Sequence, residues 1–206
     1  MVTERKKVIR IIVDAGHGGE ALGCYVTPGK RSPEPPPVGV YEGVLNRWFA
    51  RKFCEVAKAK GHEAINLVGD AVIDISLKDR CKTEALFANK NSVFISFHNN
   101  ALGNIWQDQA TGPRVLYKSN KARKLAVKVA QELSAKAVAI KGWRSIYRQR
   151  KYLYVLKKTK SPALLIELSF MDNKEDVAYF QANVNDYIDS ILKGLENGLE
   201  SEGSND

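Results

Sequence analysis

The sequence predicts a single-domain α/β protein of three layers, with a twisted, mostly parallel sheet and helices on both faces. Two observations support this fold class. Short apolar segments rich in β-branched residues alternate along the chain with longer segments whose apolar residues recur every three or four positions. Such alternation is typical of a parallel sheet with crossover helices. The length of 206 residues also suits one domain that buries its own core.

The first elements follow from this pattern in order. Lys7–Val13 is a β-branched apolar segment, which predicts a buried strand. A loop rich in proline and glycine then extends to about Val40. Apolar residues recur at helical spacing from Glu42 to Lys60, and Gly61 is a suitable residue to follow the end of that helix. His62–Val68 predicts the second strand.

The middle of the chain continues the alternation. Asp74 to about Asn89 predicts a helix, and the apolar segment Ser92–Phe97 predicts the third strand. A short strand is expected at Pro113–Tyr117. The lysine-rich segment Ser119–Ala137 is amphipathic and predicts a further helix.

The last third of the chain contains two short apolar segments and a long helical one. We expect a strand at Tyr152–Leu156. It could pair antiparallel to the strand Ala163–Ile166, because no helix clearly separates the two segments. Lys174 to about Gly198 predicts a helix broken near Phe180–Asn183. We expect one catalytic domain at 1–199 and a polar, flexible tail at 200–206.

The charge is concentrated in one part of the sequence. The net charge is +9, and Lys118–Lys160 contains fourteen lysine and arginine residues against one acid, Glu132. This density suggests a polyanionic partner such as nucleic acid, anionic lipid or an acidic wall polymer, although a solvated surface would have the same composition.

Several classes of protein are excluded by composition. No apolar segment approaches the roughly 18 residues of a membrane span, so no membrane insertion is expected. The apolar stretch Val8–Val13 is too short for the core of a secretory signal and contains Arg10. The three cysteines are widely spaced, which is unlike a disulfide framework or a thiolate zinc site.

Three predicted strands end in residues that can bind a metal or transfer a proton. His17 follows the first strand, His98 the third and Glu167 the last. Because the carboxyl ends of parallel strands meet at one edge of a sheet, we expect these side chains to lie together. His62 opens a strand at the opposite edge, so a structural or surface role is expected for it.

Glu42 is expected at the same edge, since a helix that follows a parallel strand begins where that strand ended. Two histidines and one carboxylate match the ligands of a catalytic zinc ion, which would leave Glu167 as general base and acid. Two simpler interpretations stay open. Glu42 would also be favourable as a charge at a helix N-terminus, and Glu167 as a core carboxylate paired with a basic residue.

Four motifs carry a resemblance to a known family. They are Asp14–Gly19, Glu42 with Asn46, Ser96–Ala101 and Leu165–Asn173. Together they resemble the zinc-dependent N-acetylmuramoyl-L-alanine amidases of bacterial cell walls and phage endolysins, and the resemblance extends from about Val8 to Leu195. The segment Thr27–Pro33 is similar to a variant found in some members.

The resemblance implies a site and a reaction. It implies one Zn²⁺ per chain bound by His17, Glu42 and His98, with Glu167 as the catalytic carboxylate. The reaction would be hydrolysis of the amide between N-acetylmuramic acid and L-alanine in peptidoglycan. Residues expected to orient His17 are Asp14, Gly18 and Gly19. Residues expected to bind substrate are Lys30, Arg31, Asn100, Arg144 and Arg148.

The expected partners follow from the same resemblance, and the expected location follows from it together with the lack of a recognisable secretory signal. We expect peptidoglycan as the substrate, with residues 118–160 binding anionic wall polymers, and no nucleic acid. A phage or prophage lysin is expected, made in the cytoplasm and released to the wall by a holin-type route or by leaderless export. One alternative is a zinc peptidase that cuts stem peptides on the same scaffold. Another is a basic wall-binding or nucleic-acid-binding protein without catalysis.

Overall fold

The computed structural model describes residues 8–136 and 146–200, which contain eight strands and six helices. The strands are β1 (Arg10–Ala15), β2 (Glu20–Ala21), β3 (Cys24–Tyr25), β4 (Glu63–Asn66), β5 (Ser92–Asn100), β6 (Arg114–Tyr117), β7 (Ile146–Gln149) and β8 (Ala163–Phe170). The helices are α1 (Glu42–Ala59), α2 (Leu77–Phe87), α3 (Asn120–Lys136), α4 (Tyr154–Lys158), α5 (Lys174–Ala182) and α6 (Val184–Glu200).

Six strands form one mostly parallel sheet in the order β4-β1-β5-β8-β6-β7. Strands β4, β1, β5 and β8 run parallel, while β6 is antiparallel to β8 and parallel to β7. The register places Ala15 opposite Phe97, and His98 opposite Glu167. The carboxyl ends of β1, β5 and β8 therefore meet at one edge, as predicted.

Helices cover both faces of this sheet, which confirms the three-layer α/β prediction. Alternate residues of each buried strand point to opposite faces. In β5, Phe97 belongs to the larger core, which also contains Phe49 of α1 and Ile191 of α6. Phe94 belongs to the smaller core on the other face, together with Val155 of α4.

The prediction of a strand at Tyr152–Leu156 is wrong. The structure has helix α4 at Tyr154–Lys158, and the strand of this region is β7, which precedes it. Val155 and Leu156 are adjacent and both buried, whereas a strand would turn them to opposite faces. The antiparallel pair of the six-stranded sheet lies between β6 and β8.

The C-terminal helical region agrees with its prediction. The break occurs at Asn183, between α5 and α6. Helix α6 includes Glu200, the first residue of the predicted tail, while 201–206 lie outside the described residues. Within 8–136 and 146–200, no helix has the length and apolar character needed to cross a membrane.

Candidate metal centre and its neighbouring carboxylate

His17 lies in a tight turn that follows strand β1. Its backbone is left-handed, with φ of 66°, which is uncommon and strained for a residue with a side chain. Gly16 precedes it because the His98 imidazole occupies the space that a Cβ would need. The turn thus places the His17 ring beside that of His98, with ring centroids 4.9 Å apart.

Glu42 lies between the two imidazoles. Its Oε2 is 3.1 Å from His17 Nε2, and its Oε1 is 3.0 Å from His98 Nδ1. One possible ligand atom from each residue lies within 4.8 Å of the others. Two ligands of a tetrahedral zinc ion stand about 3.3 Å apart when each bond is about 2.0–2.1 Å long. The three residues therefore suit a metal ion in both donor type and spacing.

A buried hydrogen-bond chain supports this cluster from behind. The Asn99 backbone N–H donates to Glu42 Oε1 over 3.2 Å, and its side-chain amide donates to Asn46 Oδ1 over 2.9 Å. Asn46 in turn donates to the Gly16 carbonyl over 3.1 Å, and the Ser169 hydroxyl donates to Asn99 Oδ1 over 2.7 Å. These bonds connect α1, β5 and β8 at the cluster, so the possible ligand residues are held by the core.

The electrostatics of the cluster favour a positive charge. Burial raises the pKa of Glu42, but hydrogen bonds with His17 and His98 outweigh it and hold that pKa well below its usual range. Burial lowers the pKa of His98, but the carboxylates of Glu42 and Glu167 outweigh it and raise that pKa overall. In the absence of a metal the carboxylates of Glu42 and Glu167 favour a proton on His98. A divalent cation would compensate the same negative charges.

Glu167 is the second carboxylate at this edge. Its position in β8 lies directly opposite His98, and its Oε2 is buried without a hydrogen-bond partner among the described residues. Burial raises the pKa of Glu167 to about 7, although the nearby His98 opposes the shift. A carboxyl group with this pKa can both accept and donate a proton near neutral pH.

A comparison with known protein families identifies the family that has this arrangement. Residues 11–199 match the family model described as N-acetylmuramoyl-L-alanine amidase. The chain belongs to this amidase family.

Individual relatives agree with this assignment. The chain is 25% identical to the probable cell wall amidase LytH of Staphylococcus saprophyticus over 188 residues, which cover 90% of this chain and 56% of that protein. It is 24% identical to the endolysin of Bacillus phage SPP1, over 91% of this chain and 63% of that protein. The chain thus spans a little over half the length of these curated relatives.

A solved structure shows the same fold. The amidase AmiC2 of Nostoc punctiforme superposes with a TM-score of 0.71 at 22% identity, over 93% of this chain and 97% of that one. The amidase fold therefore extends over nearly all of the chain.

The residues expected to orient His17 contact the turn that carries it and not its ring. The Asp14 carboxylate accepts hydrogen bonds from Arg80 over 2.5 Å and from Ser96 over 2.6 Å, and the Gly18 N–H donates to Thr27 Oγ1 over 2.8 Å. The Gly19 N–H donates to the Val72 carbonyl over 2.6 Å. These groups stabilise the turn, and no contact with the His17 ring is found for them in this part of the structure.

Two arginines that sequence reasoning missed hold this turn of the amidase domain. Arg47 and Arg80 are buried, and both donate to the His17 carbonyl, over 2.7 and 3.0 Å. They fix the left-handed backbone that aims the imidazole. The burial of Arg47 had one indication in the sequence, because this residue stands between apolar positions of a helix. There was no such indication for Arg80, which is flanked by exposed Lys78 and Lys82.

The amidase site opens into a cleft of about 1280 Å³, named here the basic cleft. Of the residues expected to bind substrate, Lys30, Asn100 and Arg148 line it. Arg31 does not line it, and its guanidinium donates to the carbonyls of its own loop. Arg144 lies outside the described residues.

Proposed function

We propose that this chain is a zinc-dependent hydrolase that cleaves the amide between N-acetylmuramic acid and L-alanine in peptidoglycan. The observation that carries the proposal is the convergence of His17, Glu42 and His98 beside Glu167 in a member of the amidase family. Buried Glu42 and partly exposed Glu167 place two carboxylates beside two imidazoles where the site opens into the basic cleft.

One zinc ion per chain would be held by His17, Glu42 and His98, which supply two nitrogens and one oxygen. When bound, the ion lowers the pKa of a bound water towards neutrality and polarises the carbonyl of the substrate. The remaining steps belong to residues of the chain. Arg47 and Arg80 keep His17 in place through its carbonyl, and Asn99 orients Glu42.

Glu167 performs the proton transfers in this proposal. Its carboxylate takes a proton from the attacking water as the new C–O bond forms at the lactyl carbonyl. It then gives that proton to the nitrogen of L-alanine as the C–N bond breaks, so that the amine leaves neutral. The products are a muramyl carboxylate and a stem peptide with a free amino terminus. A carboxyl group with a pKa of about 7 suits both transfers.

Zinc content and amidase rate, measured together, test the two carboxylates separately. We expect His17→Ala, His98→Ala and Glu42→Gln to lose zinc affinity, because each removes or neutralises a ligand. Glu167→Gln should keep its zinc and lose turnover by about 10² to 10⁴-fold. Exposed Glu55 lies on the same helix as Glu42, so Glu55→Gln is the matched control. If Glu167→Gln loses zinc while Glu42→Gln keeps it, Glu167 is the metal ligand and Glu42 the proton-transfer group, contrary to the proposal.

Product analysis distinguishes an amidase from a peptidase on the same scaffold. Hydrolysis at the lactyl amide releases peptides that begin with L-alanine and leaves muramic acid with a free carboxylate. A new carboxylate within the stem peptide, with muramic acid still amidated, would refute the amidase proposal in favour of the peptidase.

We also propose that the basic surface formed by described residues of 118–160 binds anionic wall polymers, and that the protein acts on the wall as a lysin. The support is the density of cations in that stretch and the similarity to a phage endolysin. Expression inside a bacterium with and without a membrane-permeabilising protein tests the lysin role. Lysis that occurs only with permeabilisation is the expected result, and no lysis in either case would contradict it.

A further inference from the structure

Two hollows of different character meet at the candidate metal site. One is the basic cleft, and the other is a second hollow of about 570 Å³. We name the second the apolar pocket, because its walls include Ile75, Leu77, Leu153, Tyr154 and Val155. His17, His98, Leu153 and Leu165 line both. Both hollows are therefore within reach of a substrate whose scissile bond lies at the metal site.

The charges of the two hollows differ. Among described residues, the cations lining the basic cleft are Lys30, Arg114, Arg148, Arg150 and Lys151, against only two carboxylates, Glu42 and Glu167. In the apolar pocket the guanidinium of Arg80 pairs with Asp14 over 2.5 Å and with Asp74 over 3.2 Å. That cation is thus neutralised by its neighbours, and the pocket offers no excess positive charge to an anion.

The two halves of the proposed substrate differ in the same way. Stem peptides bear free carboxylates, or carboxamides where these have been amidated. The muramyl half has its single carboxyl group consumed in the scissile amide, so it is uncharged. Electrostatic complementarity therefore assigns the peptide to the basic cleft and the sugar to the apolar pocket.

The position of the proton donor gives the same assignment independently. Glu167 lines the basic cleft and is absent from the walls of the apolar pocket. A group that protonates the leaving amine must lie within hydrogen-bond reach of it. The leaving amine belongs to L-alanine, the first residue of the peptide. The peptide therefore leaves the metal site on the Glu167 side.

We propose that the substrate crosses the site in one direction, with the stem peptide in the basic cleft and the muramyl sugar in the apolar pocket against Tyr154. The inference rests on the proposed amidase function. It makes Arg148 and Lys151 specificity-determining residues that favour stem peptides with free carboxylates over amidated ones.

Binding of the released stem peptide tests the basic side without requiring turnover. Two fluorescent peptides that begin with L-alanine, one with free carboxylates and one with carboxamides, are titrated with zinc-loaded protein. We expect the carboxylate form to bind the wild type more tightly, and Arg148→Glu/Lys151→Glu to weaken it by about fivefold, the upper factor for one exposed ion pair. Binding of the amidated peptide should change little.

Lys58→Glu/Lys90→Glu is the matched control for these reversals. Lys58 and Lys90 are exposed cations outside residues 118–160, and neither lines the basic cleft. The control should bind both peptides as the wild type does. Equal binding of the two peptides by the wild type, or an equal loss in Lys58→Glu/Lys90→Glu, would overturn the assignment of the peptide to the basic cleft.

The sugar side is tested by Tyr154→Ala. Tyr154 lines the apolar pocket and not the basic cleft, and it is partly exposed, so its truncation should leave the fold intact. We expect kcat/KM to fall for muramyl peptides while the preference for free carboxylates is unchanged. If Tyr154→Ala loses the preference for free carboxylates while Arg148→Glu/Lys151→Glu retains it, the substrate crosses the site in the opposite direction. If the zinc-loaded wild type hydrolyses no muramyl peptide, the proposed function fails, whereas a missing charge dependence in an active enzyme overturns only the orientation.

Discussion

Adding one methyl group at Gly16 should separate metal binding from folding. Gly16 follows the last residue of β1, and its backbone lies outside the left-handed region, so alanine is allowed there. A Cβ at this position would stand 2.6 Å from Nδ1 of His98 and closer still to two other atoms of the ring. Carbon atoms in contact normally stay about 3.5–4.0 Å from their neighbours. The His98 imidazole in Gly16→Ala must therefore move by about 1 Å or more.

A displacement of this size removes His98 from its place beside Glu42. Zinc–nitrogen bonds are about 2.0–2.1 Å long and tolerate little change. Even the loss of a supporting hydrogen bond typically costs 10- to 100-fold in metal affinity, so we expect at least about that loss here. A misplacement of 1 Å at a catalytic site costs about 10²-fold in rate. The ring lies at the edge of the sheet, so the core should be preserved.

The assay is zinc affinity by competition with a chelator, together with amidase rate and circular dichroism. Gly103→Ala is the control, because a Cβ there would meet nothing within 4 Å and its N–H bond to Asp172 is retained. We expect the control to match the wild type in all three measurements. A folded Gly16→Ala protein with wild-type zinc affinity would refute the placement of His98 against this turn.

Four further predictions concern stability and binding. Arg80→Met should destabilise the fold by about 3–5 kcal/mol, because it leaves the buried Asp14 carboxylate unpaired; in denaturant titrations, full additivity with Asp14→Asn would contradict this pairing. Burial raises the pKa of Glu167 from its ordinary 4.5 to about 7, so the folded, metal-free protein retains a proton that the unfolded chain has released between these values. The contribution of Glu167 to the free energy of unfolding should therefore be fully present below pH 4.5 and fall by about 3 kcal/mol as pH rises through 7. The difference between the pH profiles of the wild type and Glu167→Gln should show this slope, and parallel profiles would contradict it. Phe49→Ala should cost about 3–5 kcal/mol in chemical denaturation, since the ring is fully buried against Phe97, while Leu86→Ala on the exposed face of α2 should change stability by less than about 0.5 kcal/mol. Digestion of walls should decline with salt more steeply than hydrolysis of a small soluble muramyl peptide, because attraction to a polymer is screened beyond roughly 8 Å at physiological ionic strength; equal salt sensitivity would count against a wall-binding surface.

Much of the candidate site could be predicted because it depends on strand ends. His17, His98 and Glu167 each follow or end a buried apolar segment, and parallel strands bring such positions to one edge whatever the details of packing. Glu42 follows from the same rule, since it begins the helix after the first strand. These are consequences of local periodicity and of chain direction, which can be read without tertiary contacts.

The short segments were harder to predict for a physical reason. Tyr152–Leu156 contains too few residues to display a period, and it became a helix because Val155 and Leu156 both pack into the smaller core. Arg31 and Lys30 are equally basic neighbours, yet only Lys30 lines the basic cleft. The difference arises from hydrogen bonds within the loop, because the Arg31 guanidinium donates to neighbouring carbonyls.

The sequence by itself determined the fold class, the edge of the sheet at which chemistry is expected, and the four residues placed there. Tertiary structure alone decided how His17 is aimed, since Arg47 and Arg80 reach its carbonyl from positions 30 and 63 residues away. It also decided that a basic and an apolar hollow meet at the metal site. The first depends on the packing of α1 and α2 against the sheet, and the second on the packing of α4 and on the pairing of β7 with β6. Contacts between residues distant in sequence arise only from that packing, because no local pattern of side chains encodes them.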